Sequence, residues 1–177
     1  ALTPDYIERS FDDEVFDQIN FDEDIDLVVI SAMTAQVKRG YDIADFYRAK
    51  GVTVIMGGVH VSSLPEEALE HADSVIIGEA ELVWKEMLND FEQNKLKKIY
   101  HAKQYVSMDK VPLPDREIFI GKVRPKPGTI NSVQATRGCP NNCSFCSVTN
   151  FFGNTYRYRN VDDIIQEILT LDLSKEI

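Results

Sequence analysis

The sequence predicts an α/β protein: a doubly wound parallel sheet, followed by the first βα unit of a second, barrel-like domain. Three observations predict it. Apolar runs of strand length recur at Asp26–Ile30, Val52–Met56 and Ser74–Ile77. Stretches with apolar residues at helical spacing follow them, and such alternation gives parallel strands joined by crossover helices. All three cysteines then fall between a further strand-like stretch, 130–136, and a helical pattern over 161–171.

The elements follow in order. Residues 1–24 are acidic and mixed, with a short strand expected over Tyr6–Ser10. The strand at Asp26–Ile30 is apolar from Leu27 onward, as a strand covered on both faces is. A helix from about Gln36 to Lys50 offers Val37, Tyr41, Ala44, Phe46 and Tyr47 for burial, and Gly51 suits its C-cap. Pro65 near a first helical position starts a short helix over Leu64–Glu70. Glu81–Phe91 is helical, with Leu82, Trp84, Met87, Leu88 and Phe91 as packing residues. In such sheets ligands sit in the crevice at the carboxyl ends of the strands. The stretches there are Ser31–Thr34, Gly57–His60 and Gly78–Glu81. Each is a turn in its own right. No G-x-G-x-x-G is present, so the dinucleotide reading is weak.

Residues 102–129 carry four of the seven prolines and form an extended connection. The domains are thus 1–101, an α/β domain incomplete at its N-terminus; 102–129, a proline-rich linker; and 130–177, the start of a barrel. Residues 130–177 have room for one βα unit, about 30 residues on the scale of a βαβ motif, and little more. The chain is expected to be a piece of a longer protein.

Composition bounds the function. The chain has 177 residues, 44% hydrophobic and 27% charged, as in an ordinary globular protein. A net charge of −10 opposes binding to nucleic acid through a basic surface. The basic groups Arg116, Lys122, Arg124, Lys126 and Arg137, Arg157, Arg159 have a solvated surface as their plain reading. No apolar run is long enough for a membrane span. Cys139, Cys143 and Cys146 are spaced C-x3-C-x2-C. Soft thiolates in that number suit zinc, copper(I) or an iron–sulfur cluster. Zinc wants a fourth ligand, and no further Cys or His is near in sequence. A Cys143–Cys146 disulfide, or three unrelated thiols, are the plainer readings. The odd cysteine count and the absence of a secretory pattern oppose a disulfide framework, and a cluster open to oxygen chemistry would imply a reducing cytoplasm.

The cysteine stretch, with Phe145 one residue before Cys146, resembles the radical S-adenosylmethionine (SAM) enzymes, whose signature is C-x3-C-x-aromatic-C. The flanking Thr136–Pro140 and Ser147–Gly153 look like the subgroup with an upstream cobalamin-binding domain. Residues 20–100 resemble that flavodoxin-like domain in Ile30–Thr34, Met56–His60 and Ile77–Glu81. The resemblance implies that Cys139, Cys143 and Cys146 hold a [4Fe-4S] cluster whose open iron binds SAM. It implies Phe145 near the adenine of SAM. It also implies cobalamin bordered by Ser31, Met33, Thr34, Gly57, Gly58, His60, Gly78 and Glu79. The barrel would be the partial TIM barrel of that family, truncated here.

Two departures stand out. The D-x-H-x-x-G segment that supplies a cobalt-ligating histidine is absent, and the domain's first strand and helix are missing. His60 is read as a loop residue rather than a replacement ligand. The implied function is reductive cleavage of SAM to a 5′-deoxyadenosyl radical, serving methyl transfer or a radical rearrangement. The implied partners are a small-molecule substrate and a reductase, flavodoxin or ferredoxin as electron donor. The 177-residue chain by itself is expected to be inactive. The competing readings are an α/β scaffold without cobalamin and an iron–sulfur electron-transfer protein.

Overall fold

A computed structural model describes residues 1–12, 19–116 and 132–171. The described elements are β1 (Leu27–Ser31), α1 (Val37–Ala49), β2 (Thr53–Gly57), α2 (Val59–Ser63), α3 (Pro65–His71), β3 (Ser74–Ile77), α4 (Trp84–Glu92) and β4 (Ile99–His101). After these come β5 (Thr136–Arg137), α5 (Val148–Phe152), β6 (Arg157–Tyr158) and α6 (Val161–Leu169). The first four strands form one sheet in the order β1-β2-β3-β4, every pair parallel. In-register partners include Val29 with Ile55 and Val75 with Ile99.

The core explains the strands. Consecutive side chains in a strand point to opposite faces. Val54, Ile55 and Met56 are nevertheless all fully buried, so both faces of β2 are covered. Each such side chain contributes about 1.5–3 kcal/mol of burial. Helix α1 buries Val37, Gly40, Tyr41, Ile43, Ala44 and Tyr47, and packs on β1 and β2. Phe46 was expected among them. It lies off that stripe, is exposed, and sits edge-on to Tyr47 beneath the Lys50 ammonium. In α4, Met87 and Leu88 are buried, whereas Leu82 is exposed in a 3₁₀ turn ahead of the helix.

Short elements depart most from the sequence reading. Strand β4 is only three residues long and was not anticipated. Tyr6–Ser10 forms no strand; a turn closes there instead, with Ile7 N–H donating to the Pro4 carbonyl. Of the stretch 130–136, residues 130 and 131 lie outside the described residues, and 132–135 have no ladder partner. Pairing is confined to β5, antiparallel to β6 through Thr136 with Tyr158 and Arg137 with Arg157. A strand exists only as far as a neighbour accepts its hydrogen bonds.

The chain divides into two compact units. One joins Asp24–Val106 with Gly138–Tyr156, so it contains the sheet and the cysteine loop. The other comprises Ala1–Glu23, Ser107–Arg137 and Arg157–Ile177, over their described residues. In this second unit α6 is capped by the Asn160 side chain, which accepts from Asp162 N–H at 2.8 Å. The expected apolar face of α6 is only partly buried: Leu171 is covered, whereas Val161 and Ile165 are exposed. The helix buries Glu167 instead, between Arg116 at 2.5 Å and Arg159. Arg159 is 7% exposed and also donates to the Gln134 carbonyl. The solvated reading of Arg116 and Arg159 is therefore corrected: a buried carboxylate requires paired cations, and these are the pair.

Candidate cofactor crevice and cysteine loop

Because β1, β2 and β3 are parallel, Ser31, Gly57 and Ile77 end along one edge of the sheet. The loops leaving them meet there. Ala32 N–H donates to the Gly57 carbonyl at 3.1 Å, joining the first loop to the second. Gly58 has φ +101°, and a Cβ there would lie 2.7 Å from the Ala32 carbonyl oxygen and 3.1 Å from Ser31 Oγ. Only glycine serves at that position. Its missing side chain admits Ala32 rather than a ligand. Gly57 is different: an added Cβ meets nothing closer than 3.7 Å. Gly78 N–H donates to Ser62 Oγ at 3.0 Å, joining the third loop to α2. Ser31, Met33 and Thr34 remain exposed on the rim.

His60 opens into no crevice. It is 7% exposed in α2, with Nδ1 at 3.2 Å from Thr34 Oγ1 and Nε2 at 3.2 Å from Glu67 Oε1. A carboxylate only accepts, so Nε2 carries a proton toward Glu67, and in the neutral ring Nδ1 accepts from the Thr34 hydroxyl. Tyr41 also donates to Glu67 Oε1, at 3.0 Å. The hydrogen bonds from His60 and then Tyr41 hold the Glu67 carboxyl below its usual range. Burial, then the bond to Glu67, pushes the Tyr41 phenol up to about 12. Tyr41 stacks on His71 at 4.1 Å, and His71 pairs with Asp45 at 2.9 Å. Both His60 nitrogens are thus engaged in a network spanning α1, α2, α3 and the β1 loop. Sequence reasoning missed that network, because Tyr41 and Glu67 meet His60 only through the fold.

Glu79 is likewise turned inward. It is 3% exposed, and its Oε2 accepts Val106 N–H at 2.7 Å.

The cysteine loop is closed at its neck. Cys139 N–H donates to the Gly153 carbonyl at 3.1 Å, and Thr149 Oγ1 donates to the Cys139 carbonyl at 3.4 Å. A Cβ on Gly138 would lie 2.1 Å from the Thr155 carbonyl oxygen. Within the loop, Cys146 N–H donates to the Cys143 carbonyl at 3.0 Å, closing a turn around Ser144 and Phe145. Phe145 is 89% exposed.

All three cysteines are free thiols, and Cys143 is exposed. The donor chemistry of three thiols in one loop fits an iron–sulfur cluster. Among the described residues, no three His, Cys, Asp or Glu side chains converge in metal-binding geometry. The loop's own contacts bring the cysteines into one short turn-containing segment without setting the three sulfurs around a point.

Comparison with known proteins agrees with the fold. Residues 4–88 match the B12 binding domain family. The bacteriochlorophyllide d C-8(2)-methyltransferase of Chlorobaculum tepidum is 41% identical over 164 residues, covering 90% of this chain and 36% of that protein. The C-12(1)-methyltransferase of the same organism is 36% identical over 144 residues, covering 81% and 32%. Among solved structures, the radical S-adenosylmethionine methyltransferase TsrM of Kitasatospora setae, with tryptophan and aza-SAM bound, matches with a TM-score of 0.61. That match covers 83% of this chain and 34% of that one at 14% identity, and speaks for the fold alone. The chain spans about a third of the length of the curated relatives it matches.

Proposed function

We propose, from the match of residues 4–88 to the B12 binding domain family, that this chain is part of a cobalamin-dependent radical SAM methyltransferase. The observation that carries the reading is the joint presence of that domain and a C-x3-C-x2-C loop of free thiols. Similarity to a methyltransferase over 90% of the chain supports methyl transfer over radical rearrangement. In this reading 1–101 is the cobalamin domain, 102–129 the connection and 130–177 the start of the SAM-binding barrel, and the compact units cut across these bounds by joining Gly138–Tyr156 to the sheet and Ala1–Glu23 to Ser107–Arg137.

Cys139, Cys143 and Cys146 would hold a [4Fe-4S] cluster, which when bound supplies the electron that cleaves SAM. Phe145, already exposed at the loop tip, offers a ring for the adenine to stack on. Ser31, Met33, Thr34, Gly57, Gly78 and the backbone at Gly58 border the corrin at the strand-end edge. Glu79 and His60 support that edge from behind. With both His60 nitrogens engaged, His60 is not free to ligate cobalt. The partners are a small-molecule substrate and a reductase, flavodoxin or ferredoxin electron donor in the cytoplasm.

An ultraviolet–visible spectrum of the anaerobically purified intact protein tests the two cofactors separately. Cluster and corrin bands are both expected. Cluster bands without a corrin band would favour the scaffold reading of the α/β domain. Absence of iron would reject the radical SAM assignment.

A further inference from the structure

One line of contacts runs from the strand-end crevice to the first cysteine, and it lies within a single compact unit. Glu79 follows directly on β3 and Gly78. Its carboxylate is buried, and a buried carboxylate is costly unless donors meet it. The Val106 amide is one such donor, at 2.7 Å. The neighbouring residue, Tyr105, lays its ring against Gly153: a Cβ there would fall 2.8 Å from Tyr105 Cε2 and 3.1 Å from Cζ. Gly153 has φ +88°, so conformation and space both require glycine. The Gly153 carbonyl accepts the Cys139 amide at 3.1 Å. Gly78, at the other end of the line, is held by Ser62 and faces Ala102.

We propose that Glu79 and Tyr105 are positioning residues: together they form a strut that holds the Cys139–Cys146 loop at a set place relative to the crevice. The role deepens the cofactor reading above and rests on it for its purpose. A methyl carrier in the crevice and SAM at the loop must meet a common substrate, and a misplacement of about 1 Å costs reaction rate heavily.

The first test needs no cofactor. Hydrogen exchange at the Cys139 amide is measured in the intact, metal-free protein, with the Ile76 amide of β3 as internal control. Tyr105→Ala and Glu79→Ala are each expected to speed exchange at Cys139 by about tenfold, the factor that loss of one supported hydrogen bond allows. Tyr105→Phe, which keeps the ring, is expected to behave as wild type. Unchanged exchange in both disruptive variants would overturn the strut. So would equal acceleration at Ile76, which marks general destabilisation, or acceleration in Tyr105→Phe. If Tyr105→Ala does not fold, Tyr105→Leu takes its place with the same expectation.

The second test uses reconstituted protein. Tyr105→Ala should retain wild-type iron and corrin content while methyl transferred per 5′-deoxyadenosine formed falls several-fold, the effect of lost alignment. A wild-type protein that binds neither cofactor would sink the cofactor reading alone, since the exchange test still decides the strut.

Discussion

The strand-end edge and the cysteine loop are two candidate halves of one site, built in opposite ways. At the strand ends the backbone and side chains are already satisfied. Ala32 and Gly57 are joined, Gly58 is pressed against Ala32, and His60 bonds at both nitrogens. The cysteine loop is held at its neck, by Gly138, Gly153 and the Cys139 amide, and by one turn inside it from Cys143 to Cys146. Its tip, with Cys143 and Phe145, stands in solvent. The contrast teaches where geometry comes from. A large ligand with many weak contacts needs a shaped edge beforehand, and packing supplies one. Three thiolates around a cluster need only short tethers, because metal–sulfur bonds supply their own geometry.

Substitutions of glycine should separate the two regions most clearly. Gly58→Ala should destabilise the sheet unit by about 2–4 kcal/mol, through strain at positive φ and collision with Ala32. Gly138→Ala meets a closer carbonyl, yet it should disrupt only the loop. Thermal unfolding should therefore shift strongly for Gly58→Ala, whereas Gly138→Ala should lose iron binding with a small shift. Gly57→Ala is the control, and its cost should stay below about 1 kcal/mol. Equal shifts for Gly58→Ala and Gly57→Ala would break the picture of a prepacked edge.

Replacing Cys143 with Ala should abolish stoichiometric iron loading after anaerobic reconstitution. Stability should change by less than about 0.5 kcal/mol, as for other exposed positions. A variant that still binds about four irons would remove Cys143 from the ligand set.

His60→Ala should cost about 2 kcal/mol, because it deletes a buried ring and leaves a cavity. The same variant should leave the axial coordination of bound cobalamin unchanged, read by the corrin absorption spectrum. A spectral change would make His60 a cobalt ligand after all.

The pH dependence is the smallest effect and tests the same network. Glu67 has a depressed folded-state pKa. Its contribution is present above the ordinary carboxylate pKa and is lost as pH falls through the lowered one. Tyr41 is raised to about 12. Its contribution is complete below the ordinary tyrosine value of about 10 and is lost as pH rises toward the folded-state value. Urea midpoints should fall at both extremes, and Tyr41→Phe should lessen the alkaline decline, to which Tyr100 and Lys97, also raised, contribute the rest.

The sequence by itself determined the three long parallel strands and the helices between them. Apolar runs bounded by turns, and helical spacing such as 37, 41, 44, 47, are local signals that burial enforces. It also marked the cysteine loop, since the spacing of ligands within one short segment is itself local. Only the tertiary structure decided what the marked residues do. Gly58 looked like room for a ligand and is room for Ala32. His60 and Glu79 looked like contacts at the crevice, and both are turned into the protein to hold Thr34, Glu67 and Val106. Arg159 and Arg116 looked solvated and enclose Glu167. Each of these outcomes depends on a partner far away in sequence. A polar group's role is set by which donors and acceptors the fold brings within about 3 Å of it, and no periodicity records that.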